Sequence, residues 1–323
     1  MVHDSVLDAI GHTPLVRLRR LFPAPLPATL AKLELLNPGG SVKDRPARFM
    51  VEQALERGAI DRDTHLVESS SGNLGVAVAM VAKAHGLEFT CVVDPKACPA
   101  NVDLIRRLGA NIVRVTEPDD YGGYLKSRLE RVGELLDELP NAYWINQYGN
   151  ELNWQAHYRW TAQEILDDLD APVDHLVLAV STTGTVMGIG RRLREAFPGL
   201  RVVAVDAHGS AIFGDEPAAR ELPGLGSSIV PDLLDPHVVD EVVHVTDAEA
   251  AQGCLDLVET EGIFAGGSSG AIVAALQRLL PDLSPESRVV TILPDRGERY
   301  LDTVYDAEWR ARVAAERMVV AVG

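Results

Sequence analysis

Apolar residues recur along this chain in two rhythms. Short continuous runs, "HLVES" (65–69), "LEFTCVV" (87–93), "NIVRV" (111–115), "DHLVLAV" (174–180), "RVVAVD" (201–206) and "SRVVTIL" (287–293), read as strands covered on both faces. Between them, apolar positions recur every three or four residues in "NLGVAVAMVAKAHG" (73–86), "ANVDLIRRLGA" (100–110), a stretch from about Tyr121 to Glu138, and "SGAIVAALQRLL" (269–280). Those segments predict helices. Strand and helix in alternation predict an α/β fold of parallel sheets flanked by helices, in which ligands sit at loops beyond the strands' carboxyl ends. Chemistry is therefore to be sought where a strand gives way to a helix.

With 323 residues the chain is long enough for two lobes with a cleft between them. The most irregular segment, "SAIFGDEPAARELPGLGSSIVPDLLDPH" (210–237), predicts an ordered loop over the cleft or at a subunit contact. Lys and Arg number 30 against 47 Asp and Glu, a net charge of −17. That surplus of acid argues against nucleic acid or an anionic membrane as partner. Any anionic substrate must then be held by local donors. The three cysteines, Cys91, Cys98 and Cys254, form no metal-binding or disulfide pattern, which suits a reducing cytosol. No apolar run approaches the length of a membrane span, and "MVHDSVLDAIGHTP" lacks the basic and apolar regions of a signal peptide. A cytoplasmic protein is expected.

Four stretches are rich in small residues: "NPGGSVKDR" (37–45), "ESSSGNLG" (68–75), "STTGTVMG" (181–188) and "GGSSGA" (266–271). The last three each open a helical segment, where free backbone N–H groups make anion sites. Plain helix capping is the alternative for each taken singly. A nucleotide loop is excluded by spacing, because Lys43 lies between Val42 and Asp44 and no GxGxxG opens the first βα unit. Lys43 beside a glycine turn at a cleft is a candidate nucleophile and base, whereas an isolated lysine is more often a surface cap or ion pair.

"NPGGSVKDR", "SSSGNLG", "INQYGNELN", "STTGT" and "EGIFAGGSSGA", with "IGHTPLVRL" before and "TILPDRGERYL" after, resemble in kind and order the pyridoxal-phosphate enzymes of the cysteine synthase and cystathionine β-synthase type. The resemblance spans nearly the whole chain. It implies the second fold type of pyridoxal-phosphate enzymes, similar to the tryptophan synthase β chain. The smaller mobile lobe would be 46–149, the larger lobe 1–45 with 150–323, and the cofactor would lie between them in a homodimer.

By the same resemblance Lys43 binds pyridoxal 5′-phosphate covalently, and Ser181, Thr182, Thr183, Gly184 and Thr185 hold its phosphate. Asn73 bonds the ring's 3′ oxygen and Ser268 faces the ring nitrogen. A hydroxyl there does not enforce a charged ring, which favours loss of a β-leaving group. Ser70, Ser71 and Gln147 fall where the family binds a substrate α-carboxylate. Leu74, Ser181, Thr183 and Tyr148 depart from the sulfhydrylase pattern toward a siderophore-pathway branch that joins O-phospho-L-serine to L-glutamate on the way to 2,3-diaminopropionate. In that branch Ser181 and Tyr148 would face the second substrate, and Arg220, Arg296 and Arg299 are candidate cations for its anionic groups. A cysteine synthase is the alternative with the same cofactor. A silent binding scaffold is the alternative of another class, and the joint presence of Lys43, Asn73 and Ser268 speaks against it.

Overall fold

Turn residues decide where most elements begin and end. The structure, a computed structural model, describes residues 2–118, 123–216, 218 and 220–320. In chain order these form β1 (Leu15–Arg17), β2 (Ala28–Lys32), α1 (Asp44–Glu56), β3 (His65–Ser69), α2 (Asn73–His85), β4 (Glu88–Val93) and α3 (Pro99–Arg107). Next come β5 (Asn111–Arg114), α4 (Leu125–Glu138), β6 (Ala142–Trp144), α5 (Leu152–Ala156), α6 (Ala162–Asp168), β7 (His175–Ala179) and α7 (Gly184–Ala196). The chain ends with β8 (Arg201–Ala207), β9 (Glu241–Val245), α8 (Asp247–Glu261), α9 (Gly267–Leu279), β10 (Arg288–Ile292) and α10 (Ala307–Val320). The predicted strands and helices lie within a few residues of these bounds, and the start near Tyr121 lies outside the described residues. Helix α8 shows the local logic: Thr246 and Glu249 form a reciprocal capping box at its start, and Gly262 at φ 70° ends it.

Two sheets result, one of order β1-β2-β10-β7-β8-β9 and one of order β5-β4-β3-β6. All pairings are parallel except β1 with β2. That antiparallel edge departs from the all-parallel expectation, and its cause is the short connection after Arg17, which lets the chain double back without a helix. On the smaller sheet, Leu66, Phe89 and Cys91 pack against α2 and α3, while Val67 and Val92 pack against Val132 and Leu135 of α4. Helix α2 is buried from Leu74 through Ala82, which explains its nearly uniform apolar sequence. The larger sheet has α8 and α9 over one face and α6 and α7 over the other. Among the described residues no helix is long and apolar enough to cross a membrane.

A buried ionic network joins the start of α1 to both flanks of this frame. Arg45 Nε and Nη2 donate to Glu34 at 2.7 and 2.8 Å, and Nη1 and Nη2 donate to Glu164 at 2.6 and 2.7 Å. Thr13 Oγ1 donates to Glu34 at 2.7 Å, and Asn37 Nδ2 donates to the same carboxylate at 2.8 Å. Lys32 lies 3.2 Å from Glu164. Arg45 and Glu34 are fully enclosed, so every charge depends on its neighbours. Replacing Arg45 with methionine leaves buried Glu34 without its cation and Glu164 with Lys32 alone, and is expected to cost about 3–5 kcal/mol in urea unfolding. The ion pairs hold both carboxyls below their ordinary value of 4.5, Glu164 to about 2. Their contribution is complete above pH 4.5 and drains away as pH falls toward 2, so wild type should lose its stability advantage over Arg45→Met across that window.

Candidate active site

Lys43 stands one residue ahead of α1, at the end of a tight turn from Asn37 to Gly40. Gly40 sits at φ 84°, and Asp44 Oδ2 accepts the Gly39 N–H at 2.5 Å, folding the turn back on the helix start. Val42 N–H donates to Pro294 O at 2.7 Å, and Ser41 bridges to Asp295, which ties the turn to the carboxyl end of β10. Loss of hydration pushes the Lys43 amine down to about 8, against the opposing pull of Asp295. A substantial neutral fraction therefore exists near neutral pH, as a nucleophile and base require.

Asp295 organises the floor beneath that amine. Its Oδ2 accepts from Asn73 Nδ2 at 2.7 Å and from the Tyr300 hydroxyl at 2.8 Å, while Oδ1 is buried without a partner. Gly266 N–H donates to Asp295 O at 3.0 Å, and a Cβ on Gly266 would collide with the Asp295 carboxylate and the Tyr300 ring. Ser268 follows two residues later, in the first turn of α9. Lys43 and Asn73, separated widely along the chain, both meet Asp295 here.

The loop Ser181–Thr185 leaves β7 and enters α7. Thr183 takes φ 63°, a strained value for a threonine, and the free N–H groups of the first turn of α7 follow it. Ser181 Oγ donates to Gly226 O at 3.0 Å, which joins the 210–237 segment to this loop at that point. Asn153 Nδ2 donates to Gln147 O at 2.7 Å and reaches Thr182 Oγ1 at 3.4 Å. A Cβ on Gly184 would run into that asparagine. Thr185 Oγ1 meets His157 Nε2 at 3.3 Å, and burial holds this imidazole well below its usual pKa, hence neutral.

Ser70 Oγ accepts the N–H groups of Gly72 and Gly75 at 3.3 and 3.0 Å, which leaves its hydroxyl proton to donate outward. Ser71 Oγ donates to Asp94 at 2.5 Å and accepts from Arg128 Nη1 at 2.6 Å. Gln147 Nε2 donates to Ser69 O at 3.0 Å, with one amide proton and the amide oxygen to spare. Burial raises the Tyr148 hydroxyl above its ordinary pKa, with Arg128 and Arg220 pulling it down and Glu68 and Asp94 pushing it up. Arg220 Nη1 donates to Leu225 O at 3.1 Å and its Nε is buried without a partner. Arg296 and Arg299 go elsewhere: Nε of the first donates to Leu35 O at 2.8 Å and Nη2 of the second to Gly39 O at 2.6 Å. They brace the Lys43 turn, and of the three candidate arginines only Arg220 is placed beside Tyr148.

Four residues of this centre carry no assignment from the sequence: Asp295, Asn153, His157 and Arg128. Asp295 and Asn153 lie within the distinctive stretches "TILPDRG" and "NELNWQ", where a signal existed. Arg128 is a largely buried residue on helix α4, which is rich in charges, and His157 lies in a π-helical turn from His157 to Thr161, with no pattern to mark either.

The donor set fits pyridoxal phosphate: an amine of lowered pKa, a helix N-terminus lined by hydroxyls, and unpartnered buried polar atoms at Asp295 and Ser269 between them. The family model described as "Pyridoxal-phosphate dependent enzyme" matches residues 6–295. A curated relative from Ralstonia nicotianae, N-(2-amino-2-carboxyethyl)-L-glutamate synthase, is 57% identical over 317 residues, covering 98% of this chain and 94% of that protein. Among solved structures, O-ureido-L-serine synthase superposes with a TM-score of 0.89 at 36% identity, over 95% of this chain and 96% of the other. An O-acetylserine-dependent cystathionine β-synthase from Helicobacter pylori gives 0.87 at 33% identity, over 94% and 98%. The amine at the end of the glycine turn, the hydroxyl-lined helix start and the full-length family match agree, and the chain belongs to the pyridoxal-phosphate-dependent enzymes.

Proposed function

We propose that this enzyme joins O-phospho-L-serine to L-glutamate, giving N-(2-amino-2-carboxyethyl)-L-glutamate and phosphate, a supply of 2,3-diaminopropionate for siderophore synthesis. The observation that carries the reading is the polar surround of Tyr148, which lies within electrostatic reach of Arg128 and Arg220 as well as of Glu68 and Asp94, with the Arg220 Nε left unpartnered. A dicarboxylate amine needs such donors, and sulfide does not. The 57% identity to a synthase named for this product supports it. Leu74, buried where a sulfhydrylase carries threonine, counts against the cysteine synthase alternative.

Bound pyridoxal phosphate supplies an electron sink that makes the Cα proton of an attached amino acid labile. Lys43 would hold the cofactor, Ser181 to Thr185 its phosphate, Asn73 its 3′ oxygen and Ser268 its ring nitrogen. Neutral Lys43 Nζ then takes the Cα proton and returns it after the second substrate has added at Cβ. Ser70, Ser71 and Gln147 hold the α-carboxylate of the first substrate. Arg220 binds the departing phosphate and then a side-chain carboxylate of glutamate, since its unpartnered Nε has donor capacity to give. Residues 46–149 form the smaller lobe, which closes over 1–45 and 150–323 to exclude water while the reactive carbon is exposed.

We further place the enzyme in the cytosol, where its three free thiols stay reduced, as a homodimer in which exposed Leu36, Leu104 and Leu301 provide apolar contact. Sedimentation as a single monomeric species at micromolar concentration would contradict the dimer.

Incubation with O-phospho-L-serine and either glutamate or sulfide, followed by mass spectrometry, should yield the glutamate adduct; cysteine without adduct would overturn the reading. Lys43→Ala should abolish the adduct and the visible absorbance of bound cofactor. Arg220→Gln should raise the KM for O-phospho-L-serine about 10- to 100-fold, the equivalent of roughly 1.5–3 kcal/mol for a lost charged hydrogen bond. Gly184→Ala should weaken cofactor retention about tenfold or more through its clash with Asn153, at ~1–3 kcal/mol, as read by fluorescence titration.

A further inference from the structure

Glu68 lies near the end of β3, wholly inside the protein, and no step above uses it. Its Oε1 accepts the Ser69 N–H at 2.7 Å and its Oε2 accepts the Gln147 N–H at 3.2 Å. One carboxylate therefore spans two segments, the one after β3 that carries Ser70 and Ser71 and the one after β6 that carries Gln147 and Tyr148. The Gln147 side chain closes the same ring through its bond to Ser69 O. Around Glu68 stand Cys91 from β4, Trp144 from β6, Arg128 from α4 and Tyr148 from the loop after β6. Arg128, the cation of this group, spends its hydrogen bond on Ser71 and lies 3.3 Å from Asp94, so it only partly offsets the charge of Glu68. Burial pushes the Glu68 carboxyl up to about 7.

We propose that Glu68 is a positioning residue that holds the two carboxylate-binding segments in register and takes up a solvent proton when an anionic amino acid binds against them. This rests on the assignment of Ser70, Ser71 and Gln147 to the substrate carboxylate. A second negative charge brought close in a poorly hydrated site disfavours ionised Glu68, so a proton passes from solvent to one Oε on binding and returns to solvent on release. By linkage, affinity for the anionic ligand falls as pH rises through the titration of Glu68. Glutamine at this position cannot titrate, and its NH2 group opposes one of the two backbone donors.

The test is calorimetric titration of the holoenzyme with L-alanine, which has the carboxylate and no leaving group, in buffers of different ionisation enthalpy. L-Alaninamide serves as the control without a carboxylate. Wild type should take up more protons with alanine than Glu68→Gln does, the difference peaking near pH 7 and vanishing below about pH 5. The variant should keep its cofactor absorbance, with KM for the first substrate raised about tenfold and kcat within about twofold. Equal proton counts in wild type and variant overturn the proposal. Should Glu68→Gln fail to fold, wild type alone decides, because a proton count for alanine that stays flat from about pH 5 to 8 overturns it equally. Alaninamide binding as tightly as alanine would overturn the carboxylate assignment itself, a result distinct from equal proton counts at unequal affinity.

Discussion

Arg45 shares its guanidinium between two carboxylates, Glu34 ahead of the catalytic turn and Glu164 on α6, with Thr13 and Asn37 completing the shell. The geometry leaves little freedom. A planar fork engaged on two sides fixes the direction of α1 at its first turn, and Lys43 is only two residues away. Its position over Asp295 is thus set from behind by an ionic network and from the side by the bond from Val42 to Pro294. A lysine on a flexible turn would spread over many rotamers; here the backbone that carries it is held within a narrow range.

The same site holds several carboxyl groups in poor electrostatic circumstances. Burial pushes Asp44 and Glu68 up to about 7 and raises Asp295 as well, and none of the three has a guanidinium or ammonium as a hydrogen-bond partner. Each instead accepts from backbone N–H groups or from neutral side chains. Such carboxyls are costly to fold around, unlike the Arg45 network, which is saturated with charge partners. The contrast separates frame from centre: fully paired ions where position must be rigid, partly satisfied acids where charge has to respond to a ligand.

What the chain reveals before folding follows from how local each signal is. The strands 65–69 and 287–293 and the helix from Asn73 were legible because one continuous apolar run encodes each. The edge strand β1 and the three-residue β6 were not, since their few residues form no period. Among site residues, Lys43, Asn73, Ser268 and the Ser181–Thr185 loop lie in glycine-rich motifs, where backbone geometry restricts the residues allowed. Arg128 reaches Ser71 from α4 through a side chain that crosses between elements, and such convergence leaves no trace in spacing. Arg296 and Arg299, candidates by their place in the sequence, also donate to backbone carbonyls beside the catalytic turn, a use that spacing does not reveal.

Two asparagines tie the two sheets together at the site. Asn73, at the head of α2 on the smaller sheet, donates to Asp295 at the end of β10 on the larger. Asn153 ties the Gln147 segment to Thr182 of the phosphate loop. Both asparagines are neutral connectors rather than salt bridges, so the tie between the two sheets at this point carries no net charge. A ligand carboxylate held by Ser70 and Gln147 would add a tie on the smaller-sheet side. Closure would then be driven by the substrate itself, because its carboxylate belongs to one sheet and its reacting carbon to the lysine of the other.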